Sequence, residues 1–207
     1  MSGRTQDYAV DMLSLNDVAW PVRTERLEIR PLALDDLDAM WEIRRLPEVN
    51  RWLGRAPATR EAFHETYSEP SRRAMTFVIV RPDAETGAQP IIGDLMIRIE
   101  DAWAQAEVAA QAAGTQAELG WALAPEHTGQ GYAAEAVRAV IDLCFTTLGL
   151  RRVHAGCFAA NEPSWRLMER LGMRREESSR KTGLHRSGEW MDGLNYALLA
   201  EEWPVER

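Results

Sequence analysis

The stretch from Trp121 to Val137, WALAPEHTGQGYAAEAV, holds the residues best suited to bind an anion. It reads as an apolar strand end, a turn at Pro125, a glycine-bearing loop and then a helix. Gly129 and Gly131 carry no Cβ, so the backbone there can come close to a ligand. From Ala133 onward the residues favour helix, and the first N–H groups of that helix point back into the loop. Unpaired donors of this kind, with the positive end of the helix dipole behind them, suit a phosphate. The same residues also fit an ordinary strand-turn-helix whose glycines only ease the turn, and two glycines alone do not decide between these readings.

Several other chemistries lack their residues. No G-x-x-x-x-G-K-[ST] string is present for a phosphate-loop NTPase, and the loop does not have the G-x-G-x-x-G form of a dinucleotide fold. His64, His127, His154 and His185 are scattered, with no H-E-x-x-H and no Cys/His pairing at metal spacing, so no metal site is expected. No G-x-S-x-G elbow is present for a serine hydrolase. Each lone histidine is read as a surface or packed residue.

The whole chain has 207 residues, 45% hydrophobic and 27% charged, the composition of a globular domain. A net charge of −8 argues against sequence-independent nucleic-acid binding, although Arg151–Arg152 and Arg174–Arg175 offer local basic pairs. Cys144 and Cys157 are too few for a disulfide framework and read as core thiols. No apolar run approaches the ~18 residues of a membrane span, and Asp7 and Asp11 interrupt any signal-like start. The expectation is a cytoplasmic protein without membrane or nucleic-acid partners, as monomer or homodimer.

The elements that must position the loop follow from periodicity. Residues 1–20 show no clear period and read as a tail or docking segment, with 21–207 forming one domain. Leu27 to Leu32 alternates as a half-buried strand does. Asp35 can cap a helix through about Arg45, ended by Pro47, and a second helix runs from Thr59 to Pro70. Met75 to Val80 and Ile91 to Ile99 form a hairpin around PDAETGAQ, and Gly93 suggests a bulge or close backbone approach. Residues 101–116 are Ala- and Gln-rich, a loop or a short helix closed by Gly114. A strand over 117–123 leads into the loop. Val137, Val140, Ile141 and Cys144 give the following helix a core-facing stripe, and Gly149 ends it. Arg152 to Phe158 is a strand parallel to 117–123, since a helix joins them. Asn161 suits an N-cap, Pro163 sits in the next helix's first turn, and Gly172 stops it. Two further strands flank a turn at Ser187–Gly188. One mixed α+β domain accounts for this order.

The pair TGQGYA at 128–133 and NEPSWRLMERLGM at 161–173, one strand apart, resembles the GNAT superfamily of acetyl-coenzyme A-dependent N-acetyltransferases. It is most similar to the branch typified by the ribosomal-protein alanine N-acetyltransferases. RTERLEIRPL near the start, AELGWALAPEHTGQGYAAEA in the middle and GEWMDGLNYALLAEEW near the end carry the resemblance from about Thr24 to Trp203. It implies a mixed, mostly antiparallel twisted sheet of about seven strands with helices on both faces. It also implies a parallel strand pair splayed around the cofactor.

The family pattern at the loop is Arg or Gln, two residues, Gly, one residue, then Gly or Ala. Gly131 and Ala133 match it, while Thr128 stands where Arg or Gln is expected, which predicts weaker cofactor affinity. The resemblance implies that Thr128, Gly129, Gln130, Gly131, Tyr132 and Ala133 seat the pyrophosphate of coenzyme A, chiefly by backbone N–H groups. Trp121 and Leu123 would border the pantetheine arm, with Asn161 contacting it and Ser164 near its sulfur.

The implied reaction is acetyl transfer from acetyl-CoA to a primary amine, a protein N-terminus or a small molecule, by direct attack in a ternary complex. An α-amine of pKa ~7.7–8.0 is about a tenth neutral at pH 7, whereas a lysine near ~10.4 leans harder on a base. Glu118 is the candidate base, Asp192 the second, and Ser164 the candidate acid. Against these roles stand a salt-bridged strand residue for Glu118, turn ordering for Asp192 and helix capping for Asn161 and Ser164. Trp41, Trp52, Tyr67, His185 and Trp190 either line an acceptor pocket or belong to the core. The rival class is a non-catalytic acyl-CoA-binding or regulatory module.

Overall fold

The structure is a computed structural model that describes residues 14–204. Its frame is one eight-stranded sheet in the order β1-β2-β3-β4-β5-β6-β8-β7. In chain order the strands are β1 (Val22–Arg23), β2 (Glu28–Pro31), β3 (Thr76–Val80), β4 (Ile91–Glu100), β5 (Gln116–Leu123), β6 (Arg152–Phe158), β7 (Arg174–Leu184) and β8 (Trp190–Leu199). Every neighbouring pair is antiparallel except β5 with β6. The sequence predicts about seven strands; the eighth is the two-residue β1, too short to show a period.

Between β2 and β3 lie four helices, α1 (Leu37–Arg44), α2 (Pro47–Asn50), α3 (Arg60–Ser68) and α4 (Pro70–Ala74). The sequence reading has two helices here, ended by Pro47 and Pro70. Each proline instead occupies the first turn of another short helix, where its missing N–H costs nothing. Thr59 caps α3, its hydroxyl accepting from the Ala62 N–H at 3.2 Å. In the 101–116 segment a 3₁₀ turn leads into α5 (Ala109–Ala112), and Gly114 follows with φ +61°. After β5 comes α6 (Tyr132–Asp142), which continues as a π-turn over Leu143–Thr147. Then α7 (Glu162–Arg170) separates β6 from β7. Asn161 sits at the N-cap of α7, but its side chain makes no capping bond, unlike the sequence expectation.

Side chains alternate across the sheet, and each face carries its own core. In β3 all five residues are buried, because both faces are covered. Phe77 and Ile79 join Leu95, Ile97, Leu119, Val137, Ile141, Val153 and Met168 under α6 and α7. Val78 and Val80 join Leu32, Leu37, Met40, Phe63 and Tyr67 under α1 and α3. The stripe read from the sequence of α6 is buried in full, with Val137, Val140, Ile141 and Cys144 at 0–1% exposure. Of residues 14–20, Val18 is buried and Trp20 stacks on Phe77 with centroids 4.7 Å apart.

Candidate active site

The parallel ladder between β5 and β6 lasts for three pairs, Gln116 with Arg152, Ala117 with Val153 and Glu118 with His154. Beyond it β5 stays paired with β4 as far as Leu123, and β6 with β8 as far as Phe158. The two strands part after Glu118 and His154 and leave a cleft between them. Hydrogen bonding alternates along an antiparallel strand. The Ala124 N–H donates to Ile92 O at 2.8 Å, so the even-numbered residues of β5 turn their backbone groups to β4. Trp121 and Leu123 therefore turn theirs toward β6, past the end of the ladder. The Ala159 N–H donates to Asp192 O at 2.9 Å, and the same alternation turns the backbone of Gly156 into the cleft. A Cβ at Gly156 would stand 2.6 Å from the Asn195 side-chain oxygen, so a larger residue there would have to displace that amide.

At the end of β5 the chain makes a 3₁₀ turn over Pro125–His127 and enters the loop. Gly129 and Gly131 have φ of +74° and +84°, a region that residues with a Cβ avoid. The Thr128 hydroxyl donates back to Pro125 O at 2.8 Å, and the Gln130 amide donates to Glu126 O at 2.8 Å. Both side chains thus brace the turn behind the loop. The helical ladder of α6 begins with the Glu135 N–H donating to Gly131 O at 3.0 Å. Among the described residues no protein acceptor takes the N–H groups of Gln130 to Ala133. They form a cluster of free donors at the positive end of α6. Tyr132 is buried, its ring under the Arg26 guanidinium at 4.5 Å from the centroid.

Arg26, in the turn between β1 and β2, also grips the loop. Its Nη1 donates to Gln130 O at 3.2 Å and its Nε to Glu135 Oε2 at 2.7 Å. The Arg26 backbone N–H and the Thr24 hydroxyl donate to the other Glu135 oxygen, at 2.9 and 2.5 Å. Burial works to raise the Glu135 carboxyl, but the Thr24 and Arg26 donors outweigh it and hold it below the usual carboxylate range.

The three candidate catalytic residues do not form one cluster. Glu118 lies on the α1–α3 face at the point where the strands part. Arg98 pairs with it and reaches Glu100 at 3.3 Å, while the His154 ring meets Glu100 at 2.6 Å. Ser164 lies in the first turn of α7, on the other face, with its hydroxyl near the Cys157 thiol. Burial raises the Cys157 thiol and the Ser164 contact partly offsets this; burial alone pushes Cys144 up to about 12. Asp192 is exposed, and its carboxylate accepts the Lys181 N–H at 2.8 Å, which orders the irregular stretch of β7 opposite it. Asn161 stands at the far end of β6, its N–H donating to Phe158 O at 2.9 Å.

On the Glu118 side the cleft is flanked by an aromatic group. Trp52 lies 6.1 Å from Phe158 and 5.5 Å from His185 between ring centroids. The His185 Nε2–H donates to Arg51 O at 2.8 Å, and Arg186 donates to Leu53 O. The β7–β8 turn is thereby tied to the segment after α2. Tyr67 is core, Trp41 packs on Phe63, and Trp190 is exposed at the hairpin end. Sequence reasoning singled out neither Arg26 nor Glu135 as individuals, since 109 residues separate them. It also missed the nearness of Cys157 to Ser164, because Cys157 reads in the sequence only as a core thiol. No helix among the described residues is long and apolar enough to cross a membrane.

The pattern of the acetyltransferase (GNAT) domain matches residues 26–174. An uncharacterized N-acetyltransferase of Bacillus licheniformis is 27% identical over 188 residues, covering 87% of this chain and 96% of that one. The uncharacterized N-acetyltransferase YnaD of Bacillus subtilis is 41% identical over 86 residues, 42% of this chain and 50% of that protein's length. Among solved structures, a GNAT-family acetyltransferase from Bacillus anthracis superposes with a TM-score of 0.73 at 28% identity, covering 88% of this chain and all of that one. The matched pattern spans most of the chain, and the chain belongs to the GNAT acetyltransferase family.

Proposed function

We propose that this acetyltransferase takes its acetyl group from acetyl-CoA and passes it to a primary amine by direct attack in a ternary complex. The observation that carries this reading is the cleft between β5 and β6, which opens at Glu118 and runs to the free amides of Gln130–Ala133. The residues present fit coenzyme A. The free N–H groups and positively polarised helix end match a pyrophosphate, and the unpaired edge groups of Trp121, Leu123 and Gly156 match the amides of a pantetheine chain. When bound, the coenzyme supplies an acetyl group activated as a thioester.

The protein's own residues then have distinct tasks. The amides of Gln130–Ala133 hold negative charge at one end of the cleft, which fixes the donor's register along β5. Ser164, beside Cys157, offers a hydroxyl proton on the α7 side. Glu118 offers a carboxylate on the α1–α3 side, and a water between it and the amine would carry the proton away. The acceptor enters from the Glu118 side, past Trp52, Phe158 and His185, so donor and acceptor approach from opposite faces of the sheet. That separation is what a ternary complex requires.

The acceptor class is a protein N-terminal α-amine or a small amine. Thiol release from acetyl-CoA, measured over a panel of short peptides and small amines, tests the proposal. Turnover on at least one amine supports it. Tight CoA binding with no turnover on any of them would sink it and leave a binding module.

A further inference from the structure

We propose that Thr24, Arg26 and Glu135 form a latch that aims the Gly131 amide into the coenzyme site, making Arg26 a positioning residue for the acyl donor. This inference rests on the reading that the 128–133 loop seats the coenzyme's pyrophosphate.

A trans peptide unit points its C=O and its N–H in opposite directions. Arg26 Nη1 takes the carbonyl of Gln130 at 3.2 Å, so the N–H of the same peptide unit, that of Gly131, is turned to the opposite side of the loop. There it joins the free amides at the head of α6. The guanidinium also fills the back of the turn, since a Cβ on Gly131 would lie 3.4 Å from Arg26 Nη2. Without Arg26 this peptide unit has no fixed direction, and glycine on one side of it makes a flip cheap.

Glu135 gives the latch its second task. It lies in the first turn of α6, where a bare carboxylate would repel an arriving diphosphate. Arg26 binds it through Nε at 2.7 Å and Nη2 at 2.6 Å, and Thr24 takes its other oxygen. The carboxylate's acceptor sites are thereby turned away from the loop mouth. Thr128, whose short side chain is spent on Pro125 O, brings no cation to the loop. The grip on the loop comes instead from the turn between β1 and β2.

Arg81 provides an internal comparison. Its guanidinium lies 5.6 Å from the Tyr132 ring centroid, yet among the described residues it bonds neither Gln130 nor Glu135. It shares the charge and the neighbourhood of Arg26 without the grip.

The experiment measures CoA affinity by titration calorimetry, the amide spectrum of the full chain, and steady-state kinetics, for wild type, Arg26→Lys and Arg81→Gln. Arg26→Lys keeps the charge and loses the fork. It is expected to raise the Kd for CoA and the KM for acetyl-CoA about tenfold, with kcat within about twofold. The Gly131 amide resonance should move in the ligand-free variant, and its response to CoA should shrink. Arg81→Gln should change the Kd less than about threefold and leave the Gly131 amide in place. Wild-type affinity in Arg26→Lys, or an unmoved Gly131 amide, would overturn the latch. If Arg26→Lys does not fold, Thr24→Val loosens Glu135 without removing a charge, and the same comparison is made with it. Absence of CoA binding by the wild type would instead overturn the reading of the loop, while the ligand-free Gly131 amide would still report on the latch.

Discussion

Glu118 and Ser164 stand on opposite faces of the sheet, and this separation sets what each substitution should do. Glu118→Gln removes the first candidate base, and kcat/KM should fall about a hundredfold for an amine of lysine-like basicity. For an α-amine the loss should be smaller, because about a tenth of it is already neutral at pH 7. Ser164→Ala should cost only about tenfold, since the helix end it sits on still favours a thiolate. Steady-state kinetics on both amine types checks this, and equal losses for the two types would remove Glu118 from the role of base. Glu135 makes a separate pH prediction. Its carboxyl is held below the usual range, so its contribution to stability is full above the ordinary value near ~4.3 and lost as pH falls through the lower folded value. Melting temperatures of wild type and Glu135→Gln should therefore differ at neutral pH and converge in that acid window; a constant gap would argue against it. At this scale the loop glycines and Ser164 were legible, because their signals are local in sequence. The partners that give them direction were not. Arg26 meets Gln130 across 104 residues, and nothing in RTERLEIRPL marks which arginine turns inward.

Among the elements, α1 is tied to β4 by a buried ion pair. The Arg44 Nε donates to Asp94 Oδ1 at 2.7 Å, and the two side chains are 13% and 2% exposed. Taking either partner away leaves a charge without compensation in a dry setting. Asp94→Ala is expected to lower stability by about 3–5 kcal/mol, whereas Arg44→Met with Asp94→Val should recover much of the loss. Denaturant midpoints of the three proteins decide the matter, and a single variant as stable as the double one would contradict it. The same pair shows where pattern reading stops. Arg44 falls on the buried side of its helix in the sequence, and Asp94 interrupts an apolar strand, but only the packing of α1 over β4 brings them together. Strands and long helices were legible because their periods repeat. Pro47 and Pro70 were read as stops, since a proline ends one helix and begins the next with the same lack of an N–H.

Over the whole molecule, the sheet separates a side made by the second half of the chain through α6 and α7, which we assign to the donor, from a side made by α1 to α4. The parallel β5–β6 pair and the β3–β4 and β7–β8 hairpins followed from the sequence, because a helix crossover dictates the one and short turns the others, whereas the place of β8 between β6 and β7 did not. Where that pair comes apart was not legible, since Gln116–Leu123 and Arg152–Phe158 are uniform strands in composition. The separation shows only in the register, three pairs and no more.

Those unmade pairs also give the cleft a kinetic signature. The Trp121 and Leu123 N–H groups belong to a regular strand but have no carbonyl opposite them on β6. In deuterated water they should label within the dead time, while the Ala122 N–H, turned to β4 in the same strand, stays protected for far longer. A saturating ligand in the cleft should slow Trp121 and Leu123 and leave Ala122 unchanged. Equal labelling of all three in the free protein would mean that the strands close up in solution. The molecule keeps a row of sheet hydrogen bonds in reserve along β5.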